Sequence, residues 1–424
     1  MGAQEQPGRV VVIGSGQAGY QVAASLRERG HQGGIVLIGQ EDSLPYERPP
    51  LSKTYLKGAA DENQLLLRPE AFYARQSVER VIGTVVAVDR AARSVRLDGG
   101  GVHGYDHLVL ATGARPRKLD APGSGLQGVR TLRTLRDARA LREDLTAAAR
   151  VVVVGAGFIG LEFAAAANDL GFAVTVVAPH ARPMSRVVSE QTAAYFTRLH
   201  EERGNVLLLG QGVVGFHDDG GGRVAAVELT DGRLLPADLV LVGIGVTPCT
   251  ELAEAAGLPV ADGILTDAHL RTSDPHVSAV GDCAVFPDPR TGAPVRIESV
   301  QNAVDHARLV ADRLTGAHRG YRDLPWFWSD QFSANLQIAG LGHGHDSEVV
   351  LAGDPGSFSV LLFRGGELVA AESVNQPGEH LAARRLLGNR TALSPREASA
   401  AGFTLKGHLK AGSGGPVPHP VFTK

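Results

Sequence analysis

Two apolar runs of the same kind stand out along the chain. Residues 10–13 read Val-Val-Val-Ile and residues 151–154 read Val-Val-Val-Val. Both are too short for a helix and rich in β-branched residues, which predicts strands buried on both faces. Each runs into glycines, "GSGQAG" and "GAGFIG", and then into a stretch of small residues that stops at Gly30 or Gly171. Strand, glycine turn and helix are therefore written twice, 155 − 14 = 141 residues apart.

The pattern between and beyond these phrases fills in the rest. "GGIVLIGQE" at 33–41 predicts the second strand of the first unit, and "FAVTVVAPHARP" at 172–183 that of the second. Two apolar strands break in the same way, "HLVLATGARPR" at Ala111, Thr112 and Gly113 and "DLVLVGIGVTP" at Gly245, each with a proline beyond. Residues 131–149 have helical spacing. The segment 44–53, "LPYERPPLSK", has two consecutive prolines that forbid a regular helix, so a rigid extended segment is predicted. From Tyr321 the chain alternates apolar and polar residues, which predicts an antiparallel sheet with one wet face. A helix follows at 379–389, and 405–424 reads as a mobile tail.

The chain thus leaves one nucleotide domain, completes another and returns to the first. The predicted fold is α/β, with two Rossmann-like dinucleotide-binding domains and a C-terminal α+β domain. The expected boundaries are 1–114 with 245–320 for the first domain, 115–244 for the second, 321–404 for the third and 405–424 for the tail.

Composition narrows the class. With 424 residues, 43% hydrophobic and 21% charged, the chain is an ordinary globular one with room for about three domains of ~150 residues. A net charge of −3 gives no reason to expect nucleic acid or an anionic membrane as partner. No apolar run reaches the ~18 residues of a membrane span, and residues 1–9 have no hydrophobic signal region, so a cytoplasmic location is expected. The two cysteines, Cys249 and Cys283, form no CxxC pair, and no histidines stand at zinc-ligand spacing; no metal is expected.

The chemistry lies in the glycines. The spacing GxGxxG allows a tight turn, a close backbone approach to a pyrophosphate and tight packing of the helix on its strand. The pyrophosphate then meets the helix N-terminus, where unpaired N–H groups favour negative charge. One such phrase is weak evidence; two in strand-turn-helix context are not. Two units imply two dinucleotides, and the economical pair is bound FAD with transient NADH or NADPH. Near the end of the first unit's second strand Glu41 is the nearest acid for a ribose hydroxyl.

In this order, "GSGQAG", "RPPLSK", "LVLATGARPR", "GAGFIGLEFAA", "DLVLVGIGVTP", "TSDPHVSAVGDCA", "RIESVQNA" and "PWFWSDQ" resemble the FAD-dependent ferredoxin reductases of oxygenase systems, to about residue 400. The resemblance implies a glutathione-reductase-like architecture and specific roles. Gly14, Gly16 and Gly19 would cradle the FAD pyrophosphate, with Ala111, Thr112 and Gly113 beside it. Arg48 and Lys53 would contact the flavin side, and Asp282 would accept a hydrogen bond from the ribityl chain. Gly155, Gly157, Ile159 and Gly160 would hold the nicotinamide nucleotide, with Gly245 at the neighbouring strand end and Phe158 shielding the flavin. Glu162 would reach the nicotinamide carboxamide. Glu298, Trp326 and Trp328 would line the flavin, and Lys53, Glu162 and Glu298 would be the catalytic set.

One departure concerns Ala178, which stands about where NADH-using relatives often carry Glu or Asp. His180, Arg182 and Arg186 are then candidates for pairing a 2′-phosphate, and NADH against NADPH stays open. The implied function is hydride transfer from NAD(P)H to FAD and single-electron transfer to a [2Fe-2S] ferredoxin or rubredoxin-like carrier that supplies a monooxygenase or dioxygenase. Arg308, Arg313, Arg384 and Arg385 are candidate docking cations. Two rivals are weighed. A disulfide reductase needs a cysteine beside the flavin in the first 60 residues, and none occurs before position 249. A signalling protein resembling apoptosis-inducing factor would hold the same cofactors without efficient onward transfer.

Overall fold

The computed structural model describes residues 6–412, and the chain divides into two compact units. One is built from residues up to 179 with 203–323, the other from 180–202 with those from 324 onward.

The first unit contains two five-stranded sheets of parallel strands with the same plan. In one, the order is Val277–Ala279, His107–Leu110, Arg9–Ile13, Gly34–Gly39, Val78–Ile82. In the other it is Val129–Arg130, Leu239–Val242, Arg150–Val154, Ala173–Ala178, Val206–Leu209. Each glycine-phrase strand is central, and the chain continues from it to one side before returning on the other. A crevice therefore opens at its C-terminal end, where open α/β sheets take their ligands. Val10 and Val12 pack into one apolar cluster with the helices Gln17–Glu28 and Val300–Leu314, while Val11 and Ile13 pack into another on the opposite face. Helices and a small three-stranded sheet cover the two faces, which is why the run shows no alternation. Where the chain passes between the two parallel sheets, Ala114–Pro116 pairs antiparallel with Val246–Pro248.

The Pro-Pro segment corrects the expectation of an extended chain. Pro49–Ser52 forms a 3-10 turn, closed by Leu51 N–H to Arg48 O and Lys53 N–H to Pro50 O, each 3.0 Å. Proline is admissible there because the first N–H groups of a helical turn have no partner to lose.

The second unit is a five-stranded antiparallel sheet ordered Trp326–Gln331, Ala334–Gly340, Glu367–Val374, Phe358–Arg364, Ser347–Ala352. The expected wet face survives only on the edge strand Ser347–Ala352, whose exposure alternates. On the inner strands both faces are covered. Ala339, Leu361, Phe363 and Ala371 pack with the helix Pro377–Asn389. On the other face, polar residues meet the helix Glu190–Glu202 and the residue before it: Glu372 accepts from the Ser189 N–H at 2.8 Å and hydroxyl at 2.7 Å, and Gln331 bonds His200 at 2.9 Å. These buried polar residues are what gave the sequence its amphipathic look. Residues expected in the tail instead begin with a helix, Leu405–Gly412, whose Leu405 is fully buried; residues 413–424 lie outside the described part.

Burial raises the Glu372 carboxyl above its ordinary value of 4.5, against the hydroxyl and N–H groups that lower it. A raised folded-state pKa means that the folded protein holds the proton more tightly, so stability falls as pH rises from about 4.5 through that higher value. Glu372→Gln is expected to be more stable than the parent at neutral pH, with the difference vanishing below pH 4.5. Denaturant midpoints across pH measure it, and a constant offset would refute it.

Candidate functional site

The two glycine turns are built alike, and their glycines do different work. Gly14 (φ +108°) and Gly155 (φ +110°) have left-handed backbones, and a Cβ on either would lie 2.1 Å from the Ala111 carbonyl oxygen or 2.3 Å from that of Gly243. Gly19 and Gly160 are equally constrained, with a Cβ 1.8 and 2.1 Å from the carbonyl oxygens of Gly14 and Gly155. These four are demanded by the chain's own packing. Gly16 and Gly157 are not. Their backbones are extended, at φ −75° and −83°. A Cβ on Gly157 would meet nothing within 4 Å, and one on Gly16 would only graze the end of the Arg48 side chain at 4.0 Å. Both are the N-caps of their helices without a side-chain cap. A side chain at either would occupy the space over a helix N-terminus, where unpaired N–H groups favour an anion.

Around the first cradle, several predicted residues converge. Glu41 accepts from the Tyr46 hydroxyl at 2.6 Å and from Arg48 Nη2 at 2.7 Å. Arg48 Nη1 donates to the Arg133 carbonyl at 2.6 Å, and Arg133 Nη2 reaches Asp282 Oδ2 at 3.2 Å. Arg133 Nη2 also stands 3.3 Å from where a Gly113 Cβ would be. Burial holds the Tyr46 phenol well above its ordinary range, so it remains a donor to Glu41. Thr112 donates to the Cys249 carbonyl at 2.7 Å, and the Ala111 N–H to Ile13 O at 2.8 Å. Arg133 is the residue that sequence reading missed. It precedes a helix capped by Thr134 and is 85 residues from Arg48 and 149 from Asp282, so no local pattern marks it.

The two parallel-sheet modules meet at Lys53 and Glu162. Lys53 Nζ lies 3.2 Å from Glu162 Oε1, with side-chain exposures of 15% and 4%. Ser52, also unremarked in the sequence, donates its hydroxyl to Glu162 Oε2 at 2.7 Å. A carboxylate this buried is tolerable because it is paired and hydrogen-bonded. On the helix Phe158–Asp169, Phe158 is half-buried and Ile159 exposed beside the second cradle. Gly245 has φ +104° and its carbonyl accepts from the Arg117 N–H at 2.9 Å.

Other predicted residues stand apart from this pair. Glu298 is exposed and bound to Arg296 at 2.6 Å; that same Nη1 donates to the Asp282 carbonyl at 3.2 Å, which is Glu298's link to the first cradle. Trp328 lies in the second unit, its ring 5.5 Å from that of Trp326. Arg182 forms an ion pair with Glu190 at 3.6 Å, also in the second unit. Arg313 turns inward to Ser278 rather than outward as a docking cation would. Neither cysteine is an activated thiolate: burial pushes both thiols up, and Cys283 is fully buried. No helix among the described residues is long and apolar enough to cross a membrane.

An α/β chain with one cradle at each of two corresponding switch points, joined by a buried Lys–Glu pair, is a two-dinucleotide oxidoreductase by class. The chain belongs to the pyridine nucleotide-disulphide oxidoreductase family, whose model matches residues 8–307, and a reductase C-terminal model matches 326–409. It is 47% identical over 399 residues to rhodocoxin reductase of Rhodococcus erythropolis, covering 94% of this chain and 93% of that one. It is 42% identical to putidaredoxin reductase of Pseudomonas putida, covering 91% and 93%. Among solved structures, a ferredoxin reductase from Rhodopseudomonas palustris superposes with a TM-score of 0.92 at 46% identity, covering 95% and 99%. The covalent putidaredoxin reductase–putidaredoxin complex gives 0.93 at 39%, covering 96% and 99%.

Proposed function

We propose that the protein is an NAD(P)H-dependent flavoprotein reductase that moves a hydride from the nicotinamide to FAD and then single electrons to a [2Fe-2S] ferredoxin or related carrier, which supplies a monooxygenase or dioxygenase. The observation that carries the reading is the pair of middle glycines, Gly16 and Gly157, for which neither packing nor backbone gives a reason. Bound FAD supplies the conversion of a two-electron donor into one-electron steps. The named relatives are redoxin and ferredoxin reductases, which supports the acceptor; no observation favours the signalling role.

We assign residues 1–114 with 245–320 to FAD, 115–244 to the nicotinamide nucleotide and 321–404 to a third domain. Gly14, Gly16 and Gly19 receive the FAD pyrophosphate. Glu41 has lone pairs left for a ribose hydroxyl after binding Tyr46 and Arg48. Arg133 orients Asp282 to accept from the ribityl chain. Lys53 supplies positive charge beside the flavin, and Glu162, fixed by Lys53 and Ser52, accepts from the nicotinamide carboxamide. Gly155, Gly157, Gly160 and Gly245 bound the second cradle, with Phe158 and Ile159 over its mouth. Glu298 and Trp328 are assigned to the flavin surroundings and Arg182 to the nucleotide's ribose end. We take the cytoplasm, where NAD(P)H is available, as its compartment.

The test is anaerobic titration of the purified yellow protein with NADH and NADPH, followed by ferredoxin-dependent reduction of cytochrome c. Bleaching of the flavin band and turnover that requires the ferredoxin are expected. A protein that never retains flavin, or a flavin that neither nucleotide reduces, ends the proposal. The donor itself is addressed at Ala178, the last residue of the strand Ala173–Ala178, where a ribose-binding carboxylate would stand. Without that charge a 2′-phosphate meets no repulsion, so both nucleotides are expected to serve. Ala178→Glu should lower kcat/KM for NADPH relative to NADH by at least about tenfold, since like charges brought together cost several kcal/mol. Unchanged discrimination would remove Ala178 from consideration.

A further inference from the structure

The first parallel sheet has a second opening at the edge away from the glycine cradle. Gly14 follows the end of the strand Arg9–Ile13, whereas Pro7 precedes its start and His107 begins the neighbouring strand. Near that starting edge lies a cavity of about 220 Å³ lined by Pro7, His269, Arg271, Arg313, Leu314 and His318, among others. Among the described residues no carboxylate lines it.

Its charges are unbalanced. Arg313, near the end of the helix Val300–Leu314, donates from Nη2 to the Ser278 hydroxyl at 2.5 Å and lies 3.5 Å from His107 Nε2. It forms no ion pair among the described residues, and its Nε is buried without a hydrogen-bond partner. Burial, and after it the charge of Arg271, push the Arg313 guanidinium down to about 10, which still leaves it cationic at neutral pH. Arg271 has one carboxylate, Asp267 at 3.0 Å, which already accepts backbone N–H groups from His269 and Arg271. Two guanidinium groups therefore share one acid across a cavity that also offers two imidazoles. A partly buried arginine with only a shared counter-charge gains from an anion that enters the cavity. The planar fork of a guanidinium matches a tetrahedral oxyanion through paired, charge-assisted hydrogen bonds.

We propose that this cavity binds a small phosphate-type oxyanion, either free phosphate or the phosphate head of a metabolite, with Arg313 and Arg271 as its ligands. The experiment uses the FAD-loaded protein saturated with NAD+, so that phosphate cannot report on the glycine cradles. Inorganic phosphate is titrated calorimetrically at constant ionic strength, and glycerol 3-phosphate in a parallel arm. Saturable binding of one equivalent of either is expected, the tighter arm identifying the source. Arg313→Gln and Arg271→Gln should each weaken it by at least about tenfold, as expected for a lost charge-assisted bond. Absence of saturable binding in both arms, or undiminished affinity in Arg271→Gln, overturns the proposal. If Arg313→Gln does not fold, the titration of the parent protein and of Arg271→Gln decides alone.

Discussion

Gly157→Val is expected to yield a folded, yellow protein whose flavin NADH and NADPH no longer reduce. The fold has no objection to the substitution: the Gly157 backbone is extended and its Cβ would point into open space. The objection comes from the ligand, because a branched side chain there occupies the volume over the N-terminus of the helix Phe158–Asp169 that a pyrophosphate must enter. Nucleotide affinity should fall by at least about 100-fold, roughly 2.7 kcal/mol. Dithionite should still bleach the flavin, which separates lost donor binding from a damaged flavin. Gly16→Val, its counterpart, should instead purify colourless. Gly160→Ala gives the contrast, since its Cβ would strike the Gly155 carbonyl and the whole module should unfold more readily. NADH reduction of Gly157→Val at the parent rate would disprove the assignment of the second cradle.

Lys53→Met should destabilise the protein by about 3–5 kcal/mol, the usual result of removing one partner of a buried ion pair. Glu162 is 4% exposed, and without Lys53 it keeps the Ser52 hydroxyl but no longer has the Lys53 ammonium 3.2 Å away. The double variant Lys53→Met, Glu162→Gln should recover most of that loss, because a neutral amide needs no counter-charge. Hydride transfer should not recover with it, since the double variant lacks both groups proposed to meet flavin and nicotinamide. Denaturant unfolding and stopped-flow reduction by NADH report on the two quantities separately. Recovery of both together would mean that the pair is only a structural tie, and a loss below about 1 kcal/mol in the single variant would mean that Glu162 is not effectively buried.

The parts of the site legible in the sequence were those in which a local requirement leaves a local mark. The glycines are legible because the turn, the strand before it and the helix after it are adjacent in the chain. Lys53 and Glu162 were legible only through a resemblance of motifs, as nothing in their spacing of 109 positions suggests a 3.2 Å contact. Arg133 and Ser52 left no mark at all, for each acts through a partner distant in sequence. The predicted extended segment at 44–53 failed at Pro49–Ser52, because two prolines exclude a long helix but not one 3-10 turn. The predicted wet sheet face failed because Glu372 and Gln331 read as solvent-facing until Ser189 and His200, more than 130 residues earlier, are brought against that unit's sheet.

By itself the sequence determined that this chain builds two strand–glycine–helix units, since steric room for a turn and a pyrophosphate is a matter of a few consecutive residues. Tertiary structure alone decided which cations and carboxylates meet, Arg48 with Glu41, Arg133 with Asp282, Lys53 with Glu162. The reason is one of range: steric rules act between neighbours along the chain, whereas charge pairing in a low-dielectric interior depends on distances that only the packed fold sets.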